Sequence, residues 1–370
     1  MRLGVMTSGG DCAGLNAVIR AVVKRAVWGY GWQVFGIRQA THGLLTRPID
    51  ALELSPDGVA GIIHQGGTIL GTTNRGDPFA YPGPGGRTVD RSREIVQGYH
   101  DLGLDALIGI GGDGSLGILR KLAGMGDWNI IGVPKTIDND LGLTERAIGF
   151  TTAVVTATEA VDKLHVTAAS HSRVMVLEVM GRDAGHIALT AGVAGGADVI
   201  LIPEIDYTIE AVCAKLEQRR RRGRNFSIIV VAESAKAPGG DSVTYKTALG
   251  ESRYGGVGAA IAHEIGVRTG AETRVTVLGH VQRGGSPAPL DRVLGSAFGV
   301  YAVDLVAEGR FDRMVAWQNR QVVDVAIEDA IAHYQAVDPD DTLVHTARGL
   351  AIAFGDEGSG RWLNDAPTAR

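Results

Sequence analysis

Residues 105–122 read DALIGIGGDGSLGILRKL. The apolar run ALIGI breaks into glycines and then into a helical pattern of leucines and basic residues, which predicts a strand, a tight turn and a helix. The run is continuously apolar rather than alternating, the mark of a parallel strand covered on both faces. Gly109, Gly111 and Gly114 satisfy the GxGxxG spacing of a dinucleotide turn. That reading needs an acidic residue about 20 positions on, at the end of the next strand. The next strand, NIIGV (129–133), leads instead into PKTIDND (134–140). The turn is therefore read as a phosphate cradle, with Asp113 directed at a metal-bound phosphate chain and the amides of Gly112, Gly114 and Ser115 around it.

The same grammar runs through most of the chain. LGVMT, WQVFGI, DALIGI, NIIGV, RVMVLEV, ADVILI, FSIIVVA and RVTVLG read as strands, separated by amphipathic stretches such as LNAVIRAVVKRAV that are long enough for crossover helices. The alternation predicts an α/β protein with doubly wound parallel sheets, whose ligands lie at the carboxyl ends of the strands. At 370 residues two domains are expected. From about residue 320 the strand pattern fades into expected helix packed on the second domain, then a polar tail with a disordered end.

Composition narrows the function. A net charge of −5 argues against a general nucleic-acid binder, while phosphorylated small molecules need only a local cationic pocket. Two distant cysteines, Cys12 and Cys213, exclude a disulfide framework and read as reduced, buried thiols. The N-terminal apolar run is a strand rather than a signal peptide, and HIALTAGVAGGADVILIP (186–203) is interrupted by His186, Asp198 and glycines, so no membrane span is expected. A cytoplasmic protein follows.

TSGGDCAGLNAVIR (7–20) is a second candidate cradle: a strand end, a Gly9–Gly10 turn, and a helix opening near Asn16. PKTIDND holds Lys135, Thr136, Asp138 and Asp140. Phosphoryl transfer needs a carboxylate to accept the proton of the attacking hydroxyl, and two aspartates two apart share a face of an extended segment. SHSRVMVLEVMGRDAGH (170–186) brackets a strand with Arg173 and Arg182; AETRVTVLGHVQRGGSP (271–287) repeats the pattern with Arg274, His280 and Arg283. Arginines around strands that end in glycine turns fit bidentate phosphate binding. Glu233, closing FSIIVVA, is a candidate partner for sugar hydroxyls or a helix cap. RRRRGR (219–224) reads either as a solvated helix end or as an anion site.

Taken together, TSGGD, GGDGS, PKTIDND, SHSRVMVLEVMGR and GHVQRGGSP resemble, in order and spacing, the signatures of the bacterial-type 6-phosphofructokinase family, over almost all of residues 1–310. The resemblance implies two Rossmann-like three-layer domains, each discontinuous: 1–138 with about 256–304 for the phosphoryl donor and Mg²⁺, 139–255 with about 305–345 for the sugar phosphate, and a tail from about 346. It implies Asp138 as the base for the C1 hydroxyl of fructose 6-phosphate, supported by Asp140, with Thr136 on the transferred group and Arg182 stabilising the transition state. Asp113 would bind Mg²⁺. Gly10, Arg75, Gly112, Gly114, Ser115 and Lys135 resemble the donor site. Met180, Gly181, Glu233, His280 and Arg283 resemble sugar-phosphate contacts, joined by Arg173 and Arg274 from a neighbouring subunit, which implies a homo-oligomer, commonly a tetramer.

Two markers of the donor conflict. Gly114 stands where pyrophosphate-dependent relatives carry aspartate and so favours ATP, whereas Lys135 stands where ATP enzymes usually have glycine. ATP is expected, because an added carboxylate blocks a phosphate pocket while a lysine can coexist with ATP; on that reading Lys135→Gly leaves ATP turnover largely intact. Arg20, Arg222 and Arg224 match effector-site cations, but His165 replaces a further arginine and His42 replaces a tyrosine near the donor. The rival readings are pyrophosphate-dependent transfer, a nicotinamide-nucleotide or lipid kinase sharing GGDGS, and a non-catalytic sugar-phosphate sensor or regulatory subunit.

Overall fold

Each of the eight apolar runs forms a strand in the computed structural model, which describes residues 1–83, 87–236, 240–246 and 252–356. The chain divides into two units, Met1–Thr152 with Arg283–Tyr334 and Ala153–Gln282 with Gln335–Arg370. Both are α/β and both are discontinuous. Their boundaries depart from the expected ones. Residues 256–282, expected in the first unit, include the strand Thr273–Val277, which pairs with Val174–Val179 of the second. Residues 305–334, expected in the second, include Arg313–Gln318, which pairs with Ile130–Thr136 of the first. Strand pairing sets the division, and pairing partners are not written in the motifs.

In the first unit the main sheet runs Gln321–Ala326, Arg313–Gln318, Ile130–Thr136, Ala106–Gly111, Arg2–Thr7, Gln33–Ile37, Ala51–Leu54, with Ile148–Gly149 paired to the end of Ile130–Thr136. The inner strands are parallel and only the two edge strands are antiparallel to their neighbours. Every residue of Ala106–Gly111 is buried, which is why that run had to be apolar without alternation. The hairpin at 313–326 corrects the expectation of helix from about residue 320. Its turn residues Asn319 and Arg320 have φ of 50° and 65°, the left-handed pair that matches strand twist in a two-residue hairpin.

In the second unit the parallel order is Val199–Leu201, Ser227–Ala232, Val174–Val179, Thr273–Val277. The two middle strands are buried throughout, but the edge strand leaves Val275 and Val277 exposed, so RVTVLG is covered less than its composition predicts. Residues 346–356 are no loose tail. Ala353 bridges Val199 in parallel and Phe354 is fully buried. The expected disordered end falls in 357–370, outside the described residues. Among the described residues no helix is long and apolar enough to cross a membrane.

Candidate active site

Arg2–Thr7, Ala106–Gly111 and Ile130–Thr136 are parallel neighbours, and their registers place Thr7 opposite Ile110 and Gly111 opposite Pro134. Their carboxyl ends therefore lie side by side. TSGGD, GGDGS and PKTIDND, scattered over 130 residues of sequence, open at one edge of one sheet.

The first loop spends its acceptors on the protein. The Thr72 hydroxyl donates to the Gly9 carbonyl at 2.7 Å, the Lys135 ammonium to Gly10 at 2.6 Å and the Arg283 guanidinium to Asp11 at 3.2 Å. A loop with three successive carbonyls already used offers donors to whatever docks on it, which suits an anion. Gly9 has φ of 83°, and a Cβ there would lie 3.0 Å from Ser115 Oγ, so the two cradles touch only because this residue is glycine. The Gly9 amide donates to the carbonyl of Thr73, which ties Arg75's exposed loop to the same edge. Cys12 is buried behind it, its thiol donating to Ile148 and pushed up to about 12 by burial.

In the second loop Gly112 caps the helix Asp113–Gly126, so Asp113 opens that helix and Gly114 and Ser115 follow in its first turn. Among the described residues nothing lies within 4 Å of a Cβ built on Gly114, so their packing does not demand glycine there. Among the described residues no group of three or more histidines, cysteines or acids gathers as a closed metal cage. One carboxylate at a phosphate cradle nonetheless fits Mg²⁺, which keeps most of its waters and takes one or two carboxylates beside substrate phosphates.

The third loop corrects one inference about geometry. Asp138 and Asp140 do not sit on an extended segment, because Asn139 between them has φ of 54°. They converge all the same: Thr136 Oγ1 lies 3.4 Å from Asp138 Oδ2 and 3.1 Å from Asp140 Oδ1. Asn139 holds the turn by donating to the Glu145 carbonyl and accepting from the Ala147 amide. Both aspartates are buried, with 6% and 7% exposure. Lys135 is buried too, and desolvation lowers its pKa. Its bond to Gly10 revises the expectation for Lys135→Gly. Removing it orphans a carbonyl whose charged partner is worth about 1.5–3 kcal/mol, so KM for ATP is expected to rise between about ten- and hundred-fold, read from initial rates of the variant.

In the second unit Arg173 and Arg274 meet on a single carboxylate. Glu272 Oε1 accepts from Arg173 Nε at 2.9 Å and from Arg274 Nη2 at 2.5 Å, and the arginines hold the Glu272 carboxyl below its usual pKa. They meet because Val174 and Thr273 face each other in adjacent parallel strands. Met180, Gly181 and Arg182 form the turn after Val174–Val179, and the amide of Arg182 donates to Glu233 Oε1 at 3.1 Å. His280 is exposed on the one-turn helix Gly279–Arg283. Arg283 itself falls in the first unit, against Gly10 and Asp11.

The basic run divides. Arg219 pairs with buried Asp198 at 2.6 Å, and Arg220 and Arg221 lie near Glu217 at the end of the helix Ile209–Arg221. Arg222 and Arg224 are exposed and make no ion pair among the described residues. Arg20 is half-buried on the helix Leu15–Lys24 of the first unit. His165 contacts the Gly195 carbonyl, and His42 contacts the Tyr81 hydroxyl. Cys213 is only partly buried, unlike Cys12.

The supporting roles of three residues escaped the sequence reading. Asn16 donates to the Gln65 and Gly66 carbonyls and accepts from Ile69, fastening that loop beside the first cradle. Asp291, fully buried, accepts from the Gly149 and Thr152 amides and the Thr152 hydroxyl, and so caps the long helix that begins at Phe150. Gln282 accepts from the Met180 amide. Each acts across a long sequence separation, and only a polar residue in an apolar setting marked them.

The sequence profile of the family described as Phosphofructokinase matches residues 2–306. The chain is 61% identical, over 96% of its length and 99% of its relative's, to ATP-dependent 6-phosphofructokinase 1 of Synechocystis sp.. To the Nostoc sp. protein of the same name it is 62% identical, with the same coverage of 96% and 99%. The solved structure of phosphofructokinase from Saccharomyces cerevisiae superposes with a TM-score of 0.74 at 30% identity, covering 95% of this chain and 46% of the longer yeast chain. By that profile and the identity to these relatives, the chain belongs to the phosphofructokinase family.

Proposed function

We propose that this chain transfers the γ-phosphoryl group of ATP to the C1 hydroxyl of fructose 6-phosphate, giving fructose 1,6-bisphosphate and ADP. The observation that carries the reading is the pair of buried carboxylates on Thr136, at the sheet edge where the two phosphate cradles also open. The names of the relatives support the same reaction.

Asp138 takes the proton from the C1 hydroxyl, and Asp140 and Thr136 hold its carboxylate in place. The amides of Gly10, Gly112, Gly114 and Ser115, with Arg75 and Lys135, receive the donor's phosphates. Asp113 would hold Mg²⁺ together with those phosphates; when bound, the ion neutralises charge on the chain being cleaved. Arg182 stabilises negative charge that grows on the transferred group. Met180, Gly181, Glu233, His280 and Arg283 recognise the sugar phosphate, and Arg173 and Arg274 reach the 6-phosphate of a neighbouring subunit in a tetramer. Arg20, Arg222 and Arg224 receive a phosphorylated effector. The enzyme works in the cytoplasm.

Purified protein supplied with fructose 6-phosphate and Mg²⁺, and with ATP or pyrophosphate in parallel, tests the donor. Turnover with ATP is expected, and turnover with pyrophosphate alone overturns the reading. Gly114→Asp is a sharper check, since open space at that position leaves the aspartate room without disturbing packing. An acid in the first turn favours the helix, so the melting temperature should hold. Like charges about 4 Å apart repel by about 1–4 kcal/mol between water and a protein surface, so KM for ATP should rise about ten-fold or more while KM for fructose 6-phosphate stays put.

A further inference from the structure

Gln282 is 1% exposed and stands on the one-turn helix Gly279–Arg283, two residues after His280. Its Oε1 accepts from the Met180 amide at 2.8 Å, while its Nε2 is buried with no hydrogen-bond partner among the described residues. A buried donor left unpaired costs about 1–3 kcal/mol. A leucine of similar size would trade that unpaired donor for an unpaired Met180 amide, so stability alone does not favour a glutamine here.

The Oε1 bond lands on a strained turn. Gly181 has φ of 157°, and a Cβ on it would sit 2.4 Å from the Ala184 carbonyl. Arg182 has φ of 52°, a left-handed conformation that a long side chain seldom adopts. A left-handed residue other than glycine costs on the order of 1–3 kcal/mol and persists only where its surroundings over-determine it. Three hydrogen bonds do so here: Gln282 on the Met180 amide, Glu233 on the Arg182 amide, and the Ala184 amide on the Gly181 carbonyl at 3.0 Å. Glu233 directly follows the neighbouring strand Ser227–Ala232 of the same sheet, and Ala184 belongs to the turn itself. Gln282 alone of the three comes from the segment that carries His280.

We propose that Gln282 is a positioning residue for the sugar-phosphate half of the site, fixing the Met180–Arg182 turn to the His280 segment so that Arg182 is delivered in one orientation. The inference rests on the phosphofructokinase reading of those residues. It assigns Gln282 no contact with substrate.

The test is Gln282→Leu, with Gln282→Glu as the conservative partner that keeps an acceptor at Oε1. The leucine removes the unpaired Nε2 and also unpairs the Met180 amide, so the two effects offset and the melting temperature should move by no more than a few degrees. Misplacement of a catalytic group by about 1 Å costs about 10²-fold. The kcat/KM for fructose 6-phosphate should fall about ten- to hundred-fold in Gln282→Leu, with KM for ATP within about two-fold of the wild type, and Gln282→Glu should recover most of the loss. Unchanged kinetics in the leucine variant overturn the proposal. So does a fall in melting temperature with both substrates affected alike, which marks a merely structural side chain. Titration of fructose 6-phosphate without donor, followed by calorimetry, separates the two levels. Wild-type protein that neither binds nor phosphorylates the sugar overturns the functional reading, whereas wild-type binding that Gln282→Leu leaves intact in affinity and turnover overturns only the role of Gln282.

Discussion

Asp138→Asn is expected to lower kcat with ATP and fructose 6-phosphate by about 10²–10⁴-fold, the range a positioned general base contributes. Asparagine has the same shape and still accepts from the Thr136 hydroxyl, so the loop and the buried setting of residue 138 are retained. What it cannot do is take a proton. KM for both substrates should change little, because the substitution removes an interaction made only as the hydroxyl attacks. Single-turnover kinetics after mixing enzyme and both substrates read the chemical step directly. A loss smaller than about ten-fold would show that the proton goes elsewhere, and Asp140, on the same threonine at 3.1 Å, would then be the residue to replace.

Arg182→Asn should be nearly as damaging, with kcat down about 10²–10³-fold, as for loss of one donor aimed at developing transition-state charge. Asparagine is chosen for a backbone reason. Residue 182 has φ of 52°, and asparagine visits the left-handed region more readily than arginine. The variant therefore removes the cation while relieving strain, and its melting temperature should not fall. In the free protein the guanidinium lies 3.6 Å from Asp183, a pair with half-exposed side chains worth at most about 1 kcal/mol. If kcat survives within about five-fold, the transition-state role passes to another cation.

The loops of the candidate site were legible because each is written in a short run. TSGGD, GGDGS and PKTIDND each combine a strand end, glycines and an acid or amide within a few residues, and local patterning predicts such units well. The strands were legible for the same reason, since buried parallel strands admit almost nothing but apolar residues. Pairing was not. That Thr273–Val277 joins one sheet and Arg313–Gln318 the other depends on which edge is free, and each run alone reads equally well in either place. The convergence of Asp138 and Asp140 was expected for the wrong reason. The left-handed Asn139, held by Glu145 and Ala147, brings them together where an extended segment was assumed. Asp291 and Gln282 went unread because their partners lie 142 and 102 residues away. Lys135 was read as a charge for the donor, while its bond to Gly10 makes it first a brace for the loop proposed to meet the donor.

Cys12 carries a last consequence. Its thiol sits two residues from Gly10, in the segment on which donor binding is proposed to depend, yet burial keeps it protonated with a pKa of about 12. A thiolate is the form that peroxide and alkylating agents attack, and a thiol this acid-weak and this inaccessible presents almost none. The loop proposed to receive the donor's phosphates thus contains a sulfur that oxidants are expected to leave alone, and a fall in activity under oxidative stress is expected to enter the molecule somewhere else.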